Sequence, residues 1–270
     1  MVHGISDVMM ARVDKCLARC EISEDVVVCL AVESGSRAWG FPSVDSDYDV
    51  RFLYVRRPEW YLAIELEERP DVIERPLADG VDLSGWDLRK ALKLFRKSNP
   101  PLMEWLQCPL VYRERFSVAA RLRELLPLFY SPRAAYFHYL HMARGNFREY
   151  LRGDSVWVKK YLYVLRPLLA VLWIERGLGP VPIEFSKLVE ATVVQSRVRE
   201  AIERLVQEKA AGAELDRGPR IEAISEFIDS EMKRCESAAD VAETPASSLD
   251  ALNNLFREVL NEVWAPKQPA

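Results

Sequence analysis

The sequence predicts an α+β protein, in which a small mixed β-sheet domain is followed by an all-helical domain. Short β-branched or alternating runs, which are typical of strands, lie in the first part of the chain. From Phe116 onward, the segments between glycine and proline breakers have helical spacing instead. This change of pattern predicts one domain over residues 1–112 and a second over residues 113–270.

The first domain is predicted to contain two helices and four strands. A serine in the N-cap position opens the second helix at Ser84, and Asn99, Pro100 and Pro101 end it. Two short extended segments before that helix are expected to pair as a hairpin. In chain order the elements are a helix over 8–20, strands over 25–31 and 48–55, the hairpin segments 71–74 and 80–83, and a helix over 84–97.

The first domain is predicted to end with a brief extended segment at 110–112, and the second domain is predicted to be a series of helices. Glycine and proline separate these helices, for example in the run from Gly177 to Pro180. The predicted helices cover 116–128, 132–152, 156–176, 184–189, 196–207, 221–235 and 247–263.

The composition is that of a globular protein without a strong overall charge. The formal net charge is -4, so binding to nucleic acid would require a local basic surface. The five cysteines lack the CxxC spacing of a zinc site, which favours a reduced, cytoplasmic setting. The most apolar stretch, 161–174, contains Arg166 and Pro167 and is too short to cross a bilayer, so no membrane partner is expected.

Residues 33–51 combine two features that phosphoryl chemistry requires. Gly35 and Ser36 follow a predicted strand, where small residues expose backbone N–H groups and a hydroxyl to an anion. Asp47 and Asp49 lie two residues apart at the start of the next strand, so both carboxylates leave the same face. Carboxylates on one face are able to share Mg²⁺ ions, and two such ions activate an attacking oxygen and stabilise leaving pyrophosphate.

The two features together identify a superfamily, although each alone is common in turns and solvated loops. Ten residues separate Ser36 from Asp47, and predicted strands flank the whole segment. Gly-Ser followed by the run SDYDV at 46–50 resembles the signature of DNA polymerase β-like nucleotidyltransferases. The resemblance implies a polymerase β-like palm fold for the first domain. It also implies transfer of a nucleoside monophosphate from an NTP to an acceptor hydroxyl, with two Mg²⁺ or Mn²⁺ ions.

The superfamily uses a third carboxylate, set between apolar residues on a later strand. Asp82 fits that description best, and Glu74 is the alternative. In the family this carboxylate helps to position metal and acts as a base toward the incoming hydroxyl. The resemblance therefore implies catalytic and metal-binding roles for Asp47, Asp49 and Asp82.

Three longer blocks narrow the resemblance to nucleotidyltransferases of the RNA-repair-pathway polymerase β family, and the similarity covers most of residues 25–190. That family is named for members encoded beside RNA ligases, which makes an RNA end the expected acceptor and ATP the expected NTP. Adenylylation of a protein or small molecule is the alternative that the acidic net charge favours, and a catalytically silent nucleotide-binding regulator is another. The blocks are GSRAWGFPSVDSDYDVRFLYVRRPEWYLAI at 35–64, DLSGWDLRKALKLFRKSNPPLMEWL at 82–106 and VKKYLYVLRPLLAVLWI at 158–174.

Three cations are predicted to join Gly35 and Ser36 in binding the nucleotide. Arg37 directly follows the Gly-Ser pair and is expected to brace a phosphate. In related nucleotidyltransferases a lysine of the helical domain reaches the triphosphate, and Lys159 and Lys160 are the candidates for that role. A solvated pair of charges at a helix edge is the alternative for the two lysines.

Two further charged features lie near these motifs. Arg51 shares a strand face with Asp49 and is expected to form an ion pair with it. The helix predicted over 84–97 carries five basic residues between Arg89 and Lys97, which would suit the backbone of a nucleic acid acceptor. A solvated helix face is the alternative for that set.

Overall fold

The chain is described from a computed structural model over residues 5–43, 45–78, 80–212, 215–237 and 248–265. The strands in these ranges are β1 (Val26–Glu33), β2 (Tyr48–Arg56), β3 (Val72–Ala78), β4 (Val81–Asp87), β5 (Val111–Glu114), β6 (Ser155–Trp157) and β7 (Arg217–Pro219). The helices are α1 (Asp7–Glu24), α2 (Gly35–Trp39), α3 (Pro58–Tyr61), α4 (Leu88–Arg96), α5 (Pro100–Gln107), α6 (Val118–Phe129), α7 (Pro132–Tyr150), α8 (Tyr161–Glu175), α9 (Phe185–Thr192), α10 (Ser196–Ala210), α11 (Glu222–Ser237) and α12 (Leu249–Trp264).

Five strands form one mixed sheet in the order β3-β4-β2-β1-β5. β1 is antiparallel to both of its neighbours, whereas β2 and β4 run parallel. The expected hairpin is present as β3 and β4, and both strands are longer than predicted. A small mixed sheet followed by helices confirms the predicted α+β class.

Helices cover both faces of the sheet. On one face, α1 packs Leu17 into a cluster that contains Phe52. On the other face, α4, α5, α6 and α12 share a core with Leu53. Because side chains alternate along a strand, Asp49 and Arg51 leave β2 on the same face as Leu53. The charged start of β2 therefore continues a face whose later residues form the core.

The helix predicted to begin at Ser84 begins at Leu88 instead. Its cap is Asp87, whose side chain accepts a hydrogen bond of 2.8 Å from the Arg89 N–H. Residues 81–87 alternate between buried and partly exposed positions, which is the two-residue period of a strand. The serine had the right residue type for a cap, but the strand period of its neighbours prevailed.

Two other stretches differ from the sequence prediction. The prolines predicted only to end a helix also begin α5, where Pro100 and Pro101 need no N–H partner and Asn99 caps Leu102 N at 3.3 Å. The helix predicted from 156 begins at Tyr161, because the preceding residues pair as β6 with β7.

The chain crosses the predicted domain boundary inside β5, so 112 and 113 are neighbours in one strand. α6 packs with the sheet domain, and α12 returns to the same core through Leu252, Leu255 and Val259. The helices α7, α9, α10 and α11 share a core with α8, which is buried along nearly its whole length. The division into a domain over 1–112 and a domain over 113–270 stays a prediction.

All five cysteines carry free thiols. Across the described ranges, no helix combines the length and the apolar character that crossing a bilayer requires.

Candidate active site

Two carboxylates and one arginine meet where β2 and β4 begin. Asp49 and Asp82 are register partners across the parallel pair, so their side chains leave the sheet side by side. Arg51 Nη2 donates to Asp49 Oδ1 at 3.2 Å and to Asp82 Oδ2 at 2.8 Å. The expected ion pair is thus present and extends to the second carboxylate. Glu74, the alternative third acid, lies one strand further out on β3, opposite Ser84.

Gly35 brings the start of α2 against the Asp49 carboxylate. The Ser34 N–H donates to the Asp49 carbonyl at 2.8 Å, which fastens this segment to β2. A Cβ at Gly35 would lie 2.3 Å from Asp49 Oδ2, far inside van der Waals contact, and the φ of Gly35 is +61°. Only glycine fits both the approach and the backbone conformation without strain. The two halves of the sequence motif therefore meet at one place.

Ser36 and Arg37 hold the loop that carries Asp47. Ser36 Oγ lies 3.3 Å from Ser46 Oγ. Arg37 Nη2 donates to the Ser46 carbonyl at 2.6 Å, and Arg37 Nε donates to the Asp47 carbonyl at 3.3 Å. The guanidinium also lies 4.0 Å from the ring centroid of Tyr48. Arg37 therefore connects α2 to the loop, and its expected contact with phosphate stays a prediction.

A buried acid that the sequence analysis missed accepts a hydrogen bond from the Asp49 backbone. Glu33, at the end of β1, is fully buried, and its Oε1 accepts a hydrogen bond of 3.1 Å from the Asp49 N–H. Its Oε2 accepts from the Tyr112 hydroxyl on β5. Burial raises the pKa of Glu33 to about 7, against the hydrogen bonds, which lower it. A lone acid ending the apolar run VVVCLAVE was the signal that could have found it.

The carboxylates at this site have unequal surroundings. Burial raises the pKa of Asp49, and the negative charges of Asp82 and Asp47 raise it further, whereas the Arg51 charge lowers it. Asp47 itself is exposed on the loop before β2. The negative charges of these carboxylates would attract a cation to the start of β2, next to the Gly-Ser segment.

Aromatic rings and a lysine of the helical part lie next to the end of α2. Tyr163 of α8 lies edge-on to Trp39 at a centroid distance of 5.7 Å. Burial raises the pKa of Tyr163, and the negative charge of Asp49 raises it further. Lys160 Nζ lies 4.6 Å from the Tyr163 ring and 4.5 Å from the Tyr150 ring.

The two candidate lysines are therefore placed differently. Lys160 lies over the ring of Tyr163, whereas Lys159 Nζ lies 3.8 Å from Asp216. A third lysine, Lys209 of α10, donates to the Phe41 carbonyl at 2.7 Å and so fixes the segment after α2. Burial lowers the pKa of Lys209, and the charges of Arg37 and Lys159 lower it further. No sequence signal marked Lys209, because its partner is 168 residues away.

The carboxylates suit a divalent cation chemically, with Arg51 as the competing charge. Carboxylate oxygens are the ligands that Mg²⁺ prefers, and the missing Cβ of Gly35 leaves room at Asp49. Within the described part of the chain, no group of three or more His, Cys, Asp or Glu side chains is arranged to hold a metal ion. Arg51 draws Asp49 and Asp82 to its guanidinium, while Asp47 is exposed on its loop. The metal-binding role of the three aspartates stays a prediction.

A Gly-Ser segment set against paired aspartates on a mixed sheet, with a helical part beside it, defines a nucleotidyltransferase of the DNA polymerase β type. Comparison with known proteins gives the family within that class. The chain belongs to RlaP, the RNA repair pathway DNA polymerase beta family, whose sequence profile matches residues 9–258.

The chain is also similar to two known proteins. The chain is 47% identical to "Uncharacterized protein YcgL" of Bacillus subtilis strain 168 over 257 residues, which is 95% of this chain and 98% of that protein. A crystal structure of a nucleotidyltransferase-like protein from Exiguobacterium sibiricum aligns with a TM-score of 0.33 at 14% identity. That alignment covers 94% of this chain and 81% of the other.

Proposed function

We propose that this chain transfers a nucleoside monophosphate from an NTP, with ATP as the first candidate, to the terminal hydroxyl of an RNA and releases pyrophosphate. The observation that carries the proposal is the contact between Gly35 and Asp49. It sets a segment suited to phosphate directly against two carboxylates suited to metal ions. Membership of the RNA repair pathway family supports the choice of an RNA acceptor.

Asp47, Asp49 and Asp82 would hold two Mg²⁺ or Mn²⁺ ions. Bound there, the ions supply the positive charge that stabilises the triphosphate and the leaving pyrophosphate. Arg51 donates to two of these carboxylates and orients them on adjacent strands. Glu33 orients the Asp49 backbone through the Asp49 N–H.

The transfer is an in-line substitution at the α-phosphorus. The acceptor oxygen forms a bond to phosphorus, the bond to the pyrophosphate oxygen breaks, and Asp82 accepts the hydroxyl proton. Asp82 suits this role because β4 lies on the side of β2 away from β1 and the Gly35 segment. An acceptor therefore reaches it without crossing the phosphate-binding side.

The triphosphate is assigned to the start of α2 and to the cations around it. The N–H groups of Gly35 and Ser36 and the Ser36 hydroxyl contact the β and γ phosphates in this proposal. Lys160, beside Tyr163, is the better placed of the two candidate lysines for a phosphate that lies in the cleft. Arg37 and Lys159 add positive charge, and the charges of both lower the pKa of Lys209 after burial has lowered it.

The rival acceptor is a protein or small molecule that would be adenylylated, a reading that the net charge of -4 favours. ATP labelled at the α-phosphorus, offered with Mg²⁺ and single-stranded RNA, distinguishes the two. We expect label on RNA that ends in free hydroxyls and none on RNA whose terminal hydroxyls are blocked. Label on cell-extract proteins but not on RNA would favour a protein acceptor over RNA. Tight ATP binding without labelling of any acceptor would instead indicate a silent nucleotide-binding regulator.

Gly35→Ala is expected to lower the rate of label transfer about 100-fold, because a misplacement of reacting groups by about 1 Å has that effect. The added Cβ would overlap Asp49 Oδ2, so the carboxylate or α2 has to move. Gly40→Ala is the matched control, since Gly40 also has a positive φ but its Cβ would meet nothing within 4 Å. Equal losses in the two variants would show that backbone strain alone, and not the contact with Asp49, sets the rate.

A further inference from the structure

The last part of α7 and the residues after it carry three arginines without acidic partners. Arg144 and Arg148 lie one turn apart, and Arg152 follows the helix. None of the three forms an ion pair with a described acidic side chain, and Arg148 Nε donates only to the Arg144 carbonyl, at 3.3 Å. Like charges four residues apart destabilise a helix. Helix stability therefore does not account for the set, which we name the α7 arginine stripe.

This stripe adjoins the candidate active site. Asn146, between the first two arginines in sequence, donates to the Tyr163 carbonyl at 2.9 Å. Tyr150, at the end of α7, holds Lys160 at 4.5 Å from its ring. Tyr163 contacts Trp39 at the end of α2, and Gly35 at the start of that short helix lies against Asp49. A linear polyanion on the stripe would therefore reach the carboxylates at one of its ends.

The surface beside the stripe is open and contains groups on which bases stack. A depression of about 610 Å³ lies along α7, and Gly145 contributes no side chain to it. Phe137 is 47% exposed on the same helix. Exposed aromatic rings and guanidinium planes are the usual stacking partners of unpaired bases. The lining residues of the depression are His141, Met142, Gly145, Asn146, Arg148 and Glu149.

The basic helix noted in the sequence is less suited to this task. On α4, Arg89 and Lys93 both contact Glu67, and Lys90 Nζ lies 2.8 Å from Asp71. α4 also begins beyond the end of β4, at least five residues past Asp82, which is about 16 Å along a strand. The charges of α4 are therefore partly neutralised and begin far along the strand from Asp82, whereas no described acidic side chain pairs with the stripe arginines.

We infer that the α7 arginine stripe binds the phosphate backbone of a single-stranded RNA whose end enters the cleft past Tyr163. The inference rests on the proposed function for the reaction at that end, and it adds the path of the acceptor. Arginine suits the task because its planar fork contacts phosphate oxygens in pairs and stacks on bases. An acidic protein would also be attracted by charge, but it would not supply a terminal hydroxyl at the end of a flexible strand.

The test compares two triple variants of equal charge. One is Arg144→Gln/Arg148→Gln/Arg152→Gln, and the control is Arg89→Gln/Lys93→Gln/Arg96→Gln on α4. Each removes three positive charges, so the change in net charge is the same. Binding of a fluorescent single-stranded RNA is measured by anisotropy over a series of salt concentrations. The slope of log K against log salt should become shallower by about 2 in the stripe variant, since each lost phosphate contact contributes about 0.7.

The α4 variant should keep the wild-type slope, and replacing the three stripe arginines with lysine should largely restore it. Equal slope changes in both triple variants would overturn the inference, because net charge alone would then explain binding. Competition by polyglutamate as effective as that by RNA of equal charge would overturn it in favour of an acidic protein. Absence of RNA binding by the wild-type protein would also overturn the inference. Transfer of label from ATP is measured in parallel, so RNA binding without transfer would refute the proposed function and leave the stripe standing.

Discussion

Asp49→Asn is expected to lower the rate of nucleotidyl transfer by about three orders of magnitude, equivalent to about 4 kcal/mol in the barrier. Asparagine keeps the shape of the side chain against Gly35 but removes the negative charge. The charge matters most at this position because Asp49 links three parts of the site. It pairs with Arg51, adjoins Asp82 and touches the Gly-Ser segment.

The same substitution should leave the protein at least as stable as the wild type. Burial and the neighbouring carboxylates raise the pKa of Asp49, so the folded state holds its charged form at a cost. Asparagine removes that cost, and Arg51 keeps its partner Asp82 at 2.8 Å. An active-site charge retained at the expense of stability is the pattern expected of a functional residue.

Two measurements test this prediction together: transfer of label from ATP and the urea midpoint of unfolding. Asp45→Asn is the control, because Asp45 is exposed in the preceding turn and has the same chemistry. We expect Asp45→Asn to retain wild-type activity. A variant at Asp49 that transfers label at the wild-type rate would exclude the carboxylate from the reaction.

Parts of the site that are close in sequence were predictable because strand geometry is local. A spacing of two residues at the start of a strand predicts that Asp47 and Asp49 leave one face, and the structure places Asp47 on the loop just before β2. The strand that carries Asp82 was recognisable from the sequence. The position of Asp82 beside Asp49 was not, because it depends on the parallel register of β2 and β4. That pairing joins segments 33 residues apart, and no periodicity in the sequence specifies it.

The role of Glu33 could not be predicted from the sequence for a related reason. Glu33 is 16 residues from Asp49 and 79 from Tyr112, and it needs both to be hydrogen-bonded. The sequence shows that an acid ends a buried strand, but not which groups compensate it. The error at Ser84 has a different cause. Its residue type suits a helix cap, but it lies within the alternating pattern of a strand, and the sequence analysis preferred the cap.

Arg166→Met is expected to destabilise the protein by about 3–5 kcal/mol, the usual cost of leaving one charge of a buried pair without its partner. Arg166 of α8 and Glu104 of α5 have side chains that are 2% and 8% exposed, with Arg166 Nη1 and Glu104 Oε1 2.7 Å apart. Glu104 also accepts hydrogen bonds from Trp39 Nε1 and the Tyr139 hydroxyl at 3.1 Å each. One carboxylate thus joins α2, α5, α7 and α8.

A double-mutant cycle separates this pair from simple loss of packing. If the ion pair dominates, Glu104→Gln/Arg166→Met should cost less than the sum of its single variants, by about 1–3 kcal/mol in urea unfolding. Breaking the exposed pair of Arg197 and Glu222, whose side chains are 65% and 75% exposed, should cost less than about 1 kcal/mol. Additive costs at Glu104 and Arg166 would show that the residues act independently. Coupling would instead show that the buried pair stabilises the fold as a unit, at the point where Trp39 of α2 meets α5, α7 and α8.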